Sequence, residues 1–295
     1  MPSRTPSAPP LRVWAAAALG LLAFLLLVLH REAGQRAARN QTRAARIQAF
    51  AAAPGPRVIA LGSSPLGSDL LAEARMEALS KRAGGTGFAW LSLSMPNGTM
   101  EGFLPDLDRI LAAPPEVLLV DADLLYYRPT WSSPSAFPAR AAEDFMRGLK
   151  ERRQPPVPRP EPAPRTPGPD PDHGPEQLRA YVSYLAQRQP RGLLPQGDPV
   201  LARLLQARVQ GIRIFLLEFP RYGEAEARIP ARHREQAGLT RAQLERVCGA
   251  RALVFPEPLP LACYSDYSHL TGAGAERYSA WLKTELARLT GVPCS

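Results

Sequence analysis

The chain has 295 residues, 45% of them hydrophobic, enough for one sizeable domain with appendages. Its formal net charge is +9, carried almost wholly by arginine, which suits anionic glycans or lipid headgroups or is simply a solvated surface. No aromatic-interleaved basic motif or zinc-finger spacing occurs, which argues against a nucleic-acid partner. The three cysteines, Cys248, Cys263 and Cys294, include no C-x-x-C pair, so a zinc site is not expected. Cys248 and Cys263 flank a Pro-rich segment. They read either as a disulfide, if the domain is extracytoplasmic, or as free buried thiols.

Residues 1–11 form a polar, Pro-rich tail expected to be disordered. Residues 13–29, VWAAAALGLLAFLLLVL, carry no charge over 17 positions, the lower limit for a membrane-spanning helix. Trp14 fits an interfacial anchor. The residues that follow, His30-Arg31-Glu32-Ala33, offer no small-x-small cleavage site. Segment 12–30 is therefore read as an uncleaved transmembrane anchor rather than a signal peptide. Arg4 and Arg12 precede it, whereas Arg31, Arg36, Arg39, Arg43 and Arg46 follow, a count that favours a cytoplasmic domain. Residues 31–53 are Ala/Arg/Gln-rich and predict a helical stalk. Pro54-Gly55-Pro56 ends it and opens the globular domain, residues 54–295.

The apolar run 58–61, VIAL, predicts a buried strand broken sharply by Gly62-Ser63-Ser64. Helical spacing of Leu70, Leu71, Ala74, Ala78 and Leu79 predicts a helix over 68–82, with Ser68 as its N-cap and Asp69 at its positive end. A serine at the carboxyl end of a strand lies where open α/β sheets bind ligands, and nearby backbone N–H groups can face an oxyanion. Further strands are predicted at 88–93, 116–120, 211–219 and 251–255. Helices are predicted at 100–111, bent at Pro105, and at 176–189, 199–209, 241–248 and 273–289. This alternation argues for a parallel sheet with crossover helices. Residues 154–171 are a Pro-rich loop that cannot build a core.

Asp266 and His269 stand three residues apart just before the last helix, which puts both side chains on one side of a turn. Histidine is the usual base for a serine nucleophile, and an aspartate fixes its tautomer. Together, Gly62-Ser63-Ser64 and Asp266-Tyr267-Ser268-His269-Leu270 resemble the two end motifs of the SGNH (GDSL-like) hydrolase superfamily, over about residues 57–289. The resemblance implies a three-layer α/β/α sandwich with a parallel sheet, preceded here by the transmembrane helix. It implies Ser64 as nucleophile, His269 as base and Asp266 as its orienting partner, with no cofactor and no metal. The superfamily's first motif usually has Asp where this chain has Ser63. A serine there resembles a branch of envelope proteins that help acylate teichoic acid or exopolysaccharides. The third block usually supplies an oxyanion-hole asparagine, and here reads Val120-Asp121-Ala122-Asp123-Leu124. The second-block glycine corresponds to Gly98. The implied oxyanion donors are the backbone N–H groups of Ser64 and Gly98, with Asn97 as the replacement side chain.

The resemblance implies a membrane-anchored serine esterase or O-acyltransferase acting on a cell-envelope glycan through an acyl-serine, its domain outside the cytoplasmic membrane. The alternative is an inactive envelope protein that binds glycan or docks on a membrane-embedded acyltransferase. The Arg-rich stalk leaves a third reading, a scaffold on the cytoplasmic side.

Overall fold

The computed structural model describes residues 11–81, 87–95, 98–128 and 174–291. Residues 1–10 of the expected disordered tail, the Pro-rich loop 154–171, Asn97 and Cys294 lie outside the described residues, while Leu11 is helical. The chain divides into two compact units, residues 1–42 with 133–157, and residues 43–132 with 158–295.

In the first unit the described residues belong to α1 (Leu11–Ala51), a helix that runs on into the second unit. The side chains of residues 13–29 are only partly described. Among the described residues no helix is long and apolar enough to cross a membrane.

The second unit begins at Arg43. The last turns of α1 are part of it. Arg43 Nε donates to the buried carboxylate of Asp106 at 2.7 Å, and Ile47 is buried. The predicted stalk therefore ends as a packed helix of the globular part.

The sheet has five strands in the order β2 (Ala89–Ser94), β1 (Arg57–Gly62), β3 (Val117–Asp121), β6 (Arg213–Glu218), β7 (Arg251–Val254). Every neighbouring pair is parallel. Two further two-residue strands, β4 (Tyr127–Arg128) and β5 (Gln189–Pro190), pair antiparallel outside it. Continuous apolar runs such as VLLV in β3 mark strands covered on both faces. In β1, Ile59 and Leu61 point into one core, and Val58 and Ala60 into the other.

The first core is closed by α4 (Leu104–Ala112), α5 (Ala122–Tyr126), α7 (Pro199–Val209) and α9 (Ala231–Cys248). The second is closed by α3 (Glu73–Lys81) and α10 (Gly272–Thr290), whose stripe Tyr278, Leu282 and Leu286 is buried. The remaining helices, α6 (Pro175–Gln187) and α8 (Gly223–Ala227), meet in a small separate cluster through Leu178, Ala225 and Tyr267. This is the expected three-layer α/β/α sandwich. Each fully buried leucine in it contributes roughly 1.5–3 kcal/mol of burial free energy.

Several local expectations are corrected. No helix starts at Ser68. Instead a short helix, α2 (Ser64–Ser68), follows β1 directly, and α3 begins only at Glu73. Leu70 is drawn into the core and Asp69 is fully buried, so the chain between the two helices packs inward. A 3-10 turn, Met100–Phe103, precedes α4 and puts Pro105 in that helix's first turn, where its missing N–H costs nothing. Helix α9 is ten residues longer at its start than the apolar pattern predicts. Cys248 and Cys263 are both free and lie in different cores, on opposite faces of the sheet, which rules out a disulfide between them.

Candidate active site

Gly62 closes β1. A Cβ there would meet Leu66 Cβ at 2.5 Å, so only glycine lets the chain fold back into α2. Ser63 is extended, and Ser64 opens the helix with Pro65 in its first turn. The Ser64 hydroxyl thus stands at the carboxyl end of β1.

The second half of the site comes from the loop after β7. Its strand-like ends close on each other through a Tyr264–Leu270 antiparallel bridge, with Thr271 N–H donating to the Cys263 carbonyl at 2.9 Å. Gly274 lets the first turn of α10 sit on this closure, because a Cβ there would lie 2.3 Å from the Cys263 oxygen. Inside the loop, Asp266 Oδ1 accepts the backbone N–H groups of Ser268 (2.7 Å) and His269 (2.8 Å) and the Ser268 hydroxyl (2.9 Å). Its other oxygen, Oδ2, lies 2.7 Å from His269 Nδ1. Burial alone would raise the pKa of Asp266. The bonds from His269 and Ser268 outweigh it and hold the carboxyl well below the usual carboxylate range. An ionised Asp266 accepts from Nδ1–H, which leaves Nε2 as the acceptor. That nitrogen lies 3.1 Å from Ser64 Oγ. The structure therefore brings Ser64, His269 and Asp266 into one hydrogen-bonded chain across 205 residues of sequence.

The expected oxyanion donors are arranged differently. Gly98 N–H is donated to the Met95 carbonyl at 2.7 Å in a turn after β2, so it does not face Ser64 as a free donor. Asn97 lies outside the described residues. Ser64 N–H is in the first turn of α2, where backbone donors have no intrahelical acceptor.

Asp121, where the resemblance leads one to expect an asparagine, acts purely as an acceptor. Its Oδ2 takes both the N–H (3.0 Å) and the hydroxyl (2.5 Å) of Ser63, and its Oδ1 takes Asp123 N–H (3.0 Å). Burial, reinforced by the neighbouring Asp123 charge, raises the Asp121 carboxyl above its ordinary value. Burial would raise Asp123 too, but Arg188 and Arg221 reverse the shift and keep it low. Arg188 reaches it at 2.7 Å, and Arg221 grips both its oxygens at 2.6 and 2.5 Å.

The sequence reading missed Arg188, Arg221 and Asp69. Arg221 could have been found from its place just beyond the carboxyl end of β6. Arg188 carries no local signal.

A cavity of about 700 Å³ lies at the carboxyl ends of β6 and β7, lined by Glu218, Phe219, Arg221, Arg241, Phe255 and Tyr264 among others. It is bordered by neither Ser64 nor His269. Among the described residues no group of three or more His, Cys, Asp or Glu side chains is placed to hold a metal ion.

No protein-family model and no curated protein matches the chain. Similar solved structures include an acetylxylan esterase from Geobacillus stearothermophilus, at 11% identity, covering 78% of this chain and 93% of that one, with a TM-score of 0.42. A salicylyl-acyltransferase from a tetracycline biosynthetic pathway is 15% identical over 83% of this chain and 57% of its own, with a TM-score of 0.41. A chain from Bacteroides ovatus described as a GDSL-like lipase is 11% identical over 81% of this chain, with a TM-score of 0.41. This protein spans about half, 55%, of that chain's length.

Proposed function

We propose that the chain is a serine acyl esterase or O-acyltransferase of the SGNH type. The observation that carries this reading is the hydrogen-bonded series Asp266 Oδ2, His269 Nδ1, His269 Nε2, Ser64 Oγ, with steps of 2.7 and 3.1 Å. Nε2 takes the Ser64 proton as Oγ attacks an acyl carbonyl, and Asp266 stabilises the imidazolium that forms. The tetrahedral oxyanion accepts from Ser64 N–H, with Asn97 as the second donor assigned from sequence. As the carbonyl re-forms, the bond to the leaving alkoxide breaks and His269 returns the proton to it. The acyl-serine is then discharged by water, giving hydrolysis, or by a sugar hydroxyl, giving transfer.

The acyl group is carried on, or passed to, a glycan of the cell envelope. Two things support this: the resemblance of Ser63 to the envelope branch, and a row of aromatic rings beside the histidine loop. Tyr184, Tyr181 and Tyr267 stack in series with centroids 6.3 and 6.2 Å apart, and Tyr184 is exposed. The exposed ring at the end of this stack, Tyr184, offers a flat face with a polar tip that suits a sugar ring, while the buried Tyr267 backs the stack. Residues 12–30 are the membrane anchor of this reading, with the domain outside the cytoplasmic membrane. The exposed apolar side chains of Trp14, Leu19, Leu22, Leu26 and Leu27 support an anchor, since such surface calls for lipid or a partner.

A second reading is favoured by the oxyanion side of the site. Gly98 N–H is spent on Met95, and Asp121 offers acceptors where a donor is expected. On that reading the chain is catalytically silent and binds glycan or docks on a membrane-embedded acyltransferase. Fluorophosphonate labelling of the full chain in detergent separates the two. Labelling that is lost in Ser64→Ala and in His269→Ala is expected for the enzyme. A folded wild-type chain that takes no label favours the silent protein.

A further inference from the structure

Three backbone groups hold His269 in place. Its N–H is fixed by Asp266 Oδ1, and its carbonyl accepts from Ser265 N–H at 2.8 Å. The N–H of the next residue, Leu270, donates to Asp69 Oδ1 at 2.9 Å. The first two ties are internal to the histidine loop and would move with it. Of these three ties, the third reaches outside the loop, and it comes from the serine side.

Asp69 directly follows α2 and is locked to it. Its N–H donates to the Pro65 carbonyl at 2.7 Å. The Ser68 hydroxyl lies 2.7 Å from Asp69 Oδ1 and 3.0 Å from the Ser64 carbonyl. One buried carboxyl thus touches both the turn that carries the nucleophile and the peptide that carries the base, 201 residues apart.

We infer that Asp69 is a positioning residue for acyl transfer: its carboxyl pins the His269–Leu270 peptide to the Ser64 turn and so sets the reach of Nε2 to the serine hydroxyl. The catalytic part of this inference rests on the serine-enzyme reading above; the tie itself does not.

The placement is costly, which argues for a use. Asp69 is fully buried, and its Oδ2 has no hydrogen-bond partner among the described residues. Burial pushes its carboxyl up to about 7, in spite of the bonds from Leu270 and Ser68 and the pull of His269; Asp266 pushes the same way as burial. The hydroxyls of Tyr264 and Tyr278, also buried and without partners among the described residues, feel its field too.

Two measurements on the full chain test the inference. The first is hydrogen exchange at the Leu270 amide, which needs no activity. Protection is expected in the wild type and in Asp69→Asn, whose Oδ1 can still accept, with exchange about tenfold faster or more in Asp69→Ala. Equal protection in Asp69→Ala overturns the tie.

The second is hydrolysis of p-nitrophenyl acetate. Asp69→Ala is expected to lower kcat about tenfold or more with KM within about twofold, and Asp69→Asn to restore most of the rate. An unchanged kcat in Asp69→Ala, or an asparagine variant as slow as the alanine one, overturns the positioning role. If Asp69→Ala does not fold, Asp69→Ser, too short to reach Leu270, takes its place with the same expected outcomes. A wild type that neither labels nor hydrolyses defeats the enzyme reading, while the exchange result still decides the tie.

Discussion

Ser63 and Asp121 satisfy each other: both hydrogen-bond donors of Ser63 end on the same oxygen, Asp121 Oδ2, at 3.0 and 2.5 Å. The two positions at which this chain differs from the motifs it resembles are therefore one feature rather than two. Where the first motif carries an acid and the third block an amide, this chain exchanges the acceptor for a donor and the donor for an acceptor. An amide at 121 would turn its NH2 against Ser63 N–H or Asp123 N–H, since the carboxylate now accepts from both sides.

It follows that Ser63→Asp and Asp121→Asn each destabilise the domain, by about 1–3 kcal/mol. The double variant recovers a coupling of about 1–3 kcal/mol. Urea unfolding of the four proteins measures this, and strictly additive losses would show that the pair is not a unit.

Asp266 sets the imidazole tautomer. In Asp266→Asn the amide can still accept the Ser268 and His269 N–H groups through one oxygen, so the loop keeps its shape. The NH2 then faces Nδ1 and forces the proton onto Nε2, where it opposes the Ser64 hydroxyl. The acylation rate is expected to fall by about three to four orders of magnitude. Stopped-flow labelling beside a melting curve checks this. A slow but fully folded variant is the expected pair of results, and a rate near that of the wild type would contradict it.

Asp69 makes stability depend on pH. Its carboxyl titrates at the ordinary 3.8 when unfolded and near 7 when folded. Between those values the native state holds a proton that the unfolded chain has released, so stability falls as pH rises through this window. The loss amounts to at most about 4 kcal/mol, at about 1.4 kcal/mol for each pH unit between the two values. Asp69→Asn, which cannot ionise, removes that slope. Chemical denaturation from pH 4 to 8 should show the two curves diverging as pH rises, with the variant the more stable above neutrality. Parallel curves count against a raised Asp69 carboxyl.

Arg43 ties the end of α1 to α4. Its partner Asp106 is fully buried and held also by Arg109 at 3.2 Å. Even so, burial outweighs the two arginines and leaves the Asp106 carboxyl above its ordinary value. Arg43→Ala leaves this charge short of its closest partner and is expected to cost about 3–5 kcal/mol. Arg43→Met with Asp106→Leu, which removes both charges, should recover most of that loss in a thermal melt.

Much of the sheet was legible because each of its strands is an apolar run closed by a turn signal. The four residues VIAL and the run VLLV admit little else. Helix α9 was half hidden for the opposite reason. Over its first ten residues, ARHREQAGLT, only His233 and Thr240 are buried, so no apolar stripe exists to be read. Ser64, His269 and Asp266 could be named together only through the resemblance of their two motifs to the SGNH superfamily, since neither the Gly62-Ser63-Ser64 turn nor the three-residue spacing of Asp266 and His269 identifies a site alone. Asp69 was misread as a helix-dipole residue, since nothing local distinguishes a carboxylate that caps a helix from one that reaches an amide 201 residues away. Arg188 was unreadable in the same way, because only folding brings it to Asp123; Arg221 had the one local signal, its place just beyond the carboxyl end of β6.

The two unpaired thiols give the domain a pair of internal reporters. Cys248 is sealed under one face of the sheet and Cys263 under the other, each in a separate core. Burial pushes the Cys248 thiol up to about 11, so it reacts with an alkylating reagent only when its own layer opens. The modification rate at each position is therefore a clock for one layer. Unequal rates would reveal that the sandwich breathes on one side while the other holds, with no disulfide between these two thiols to couple the two sides.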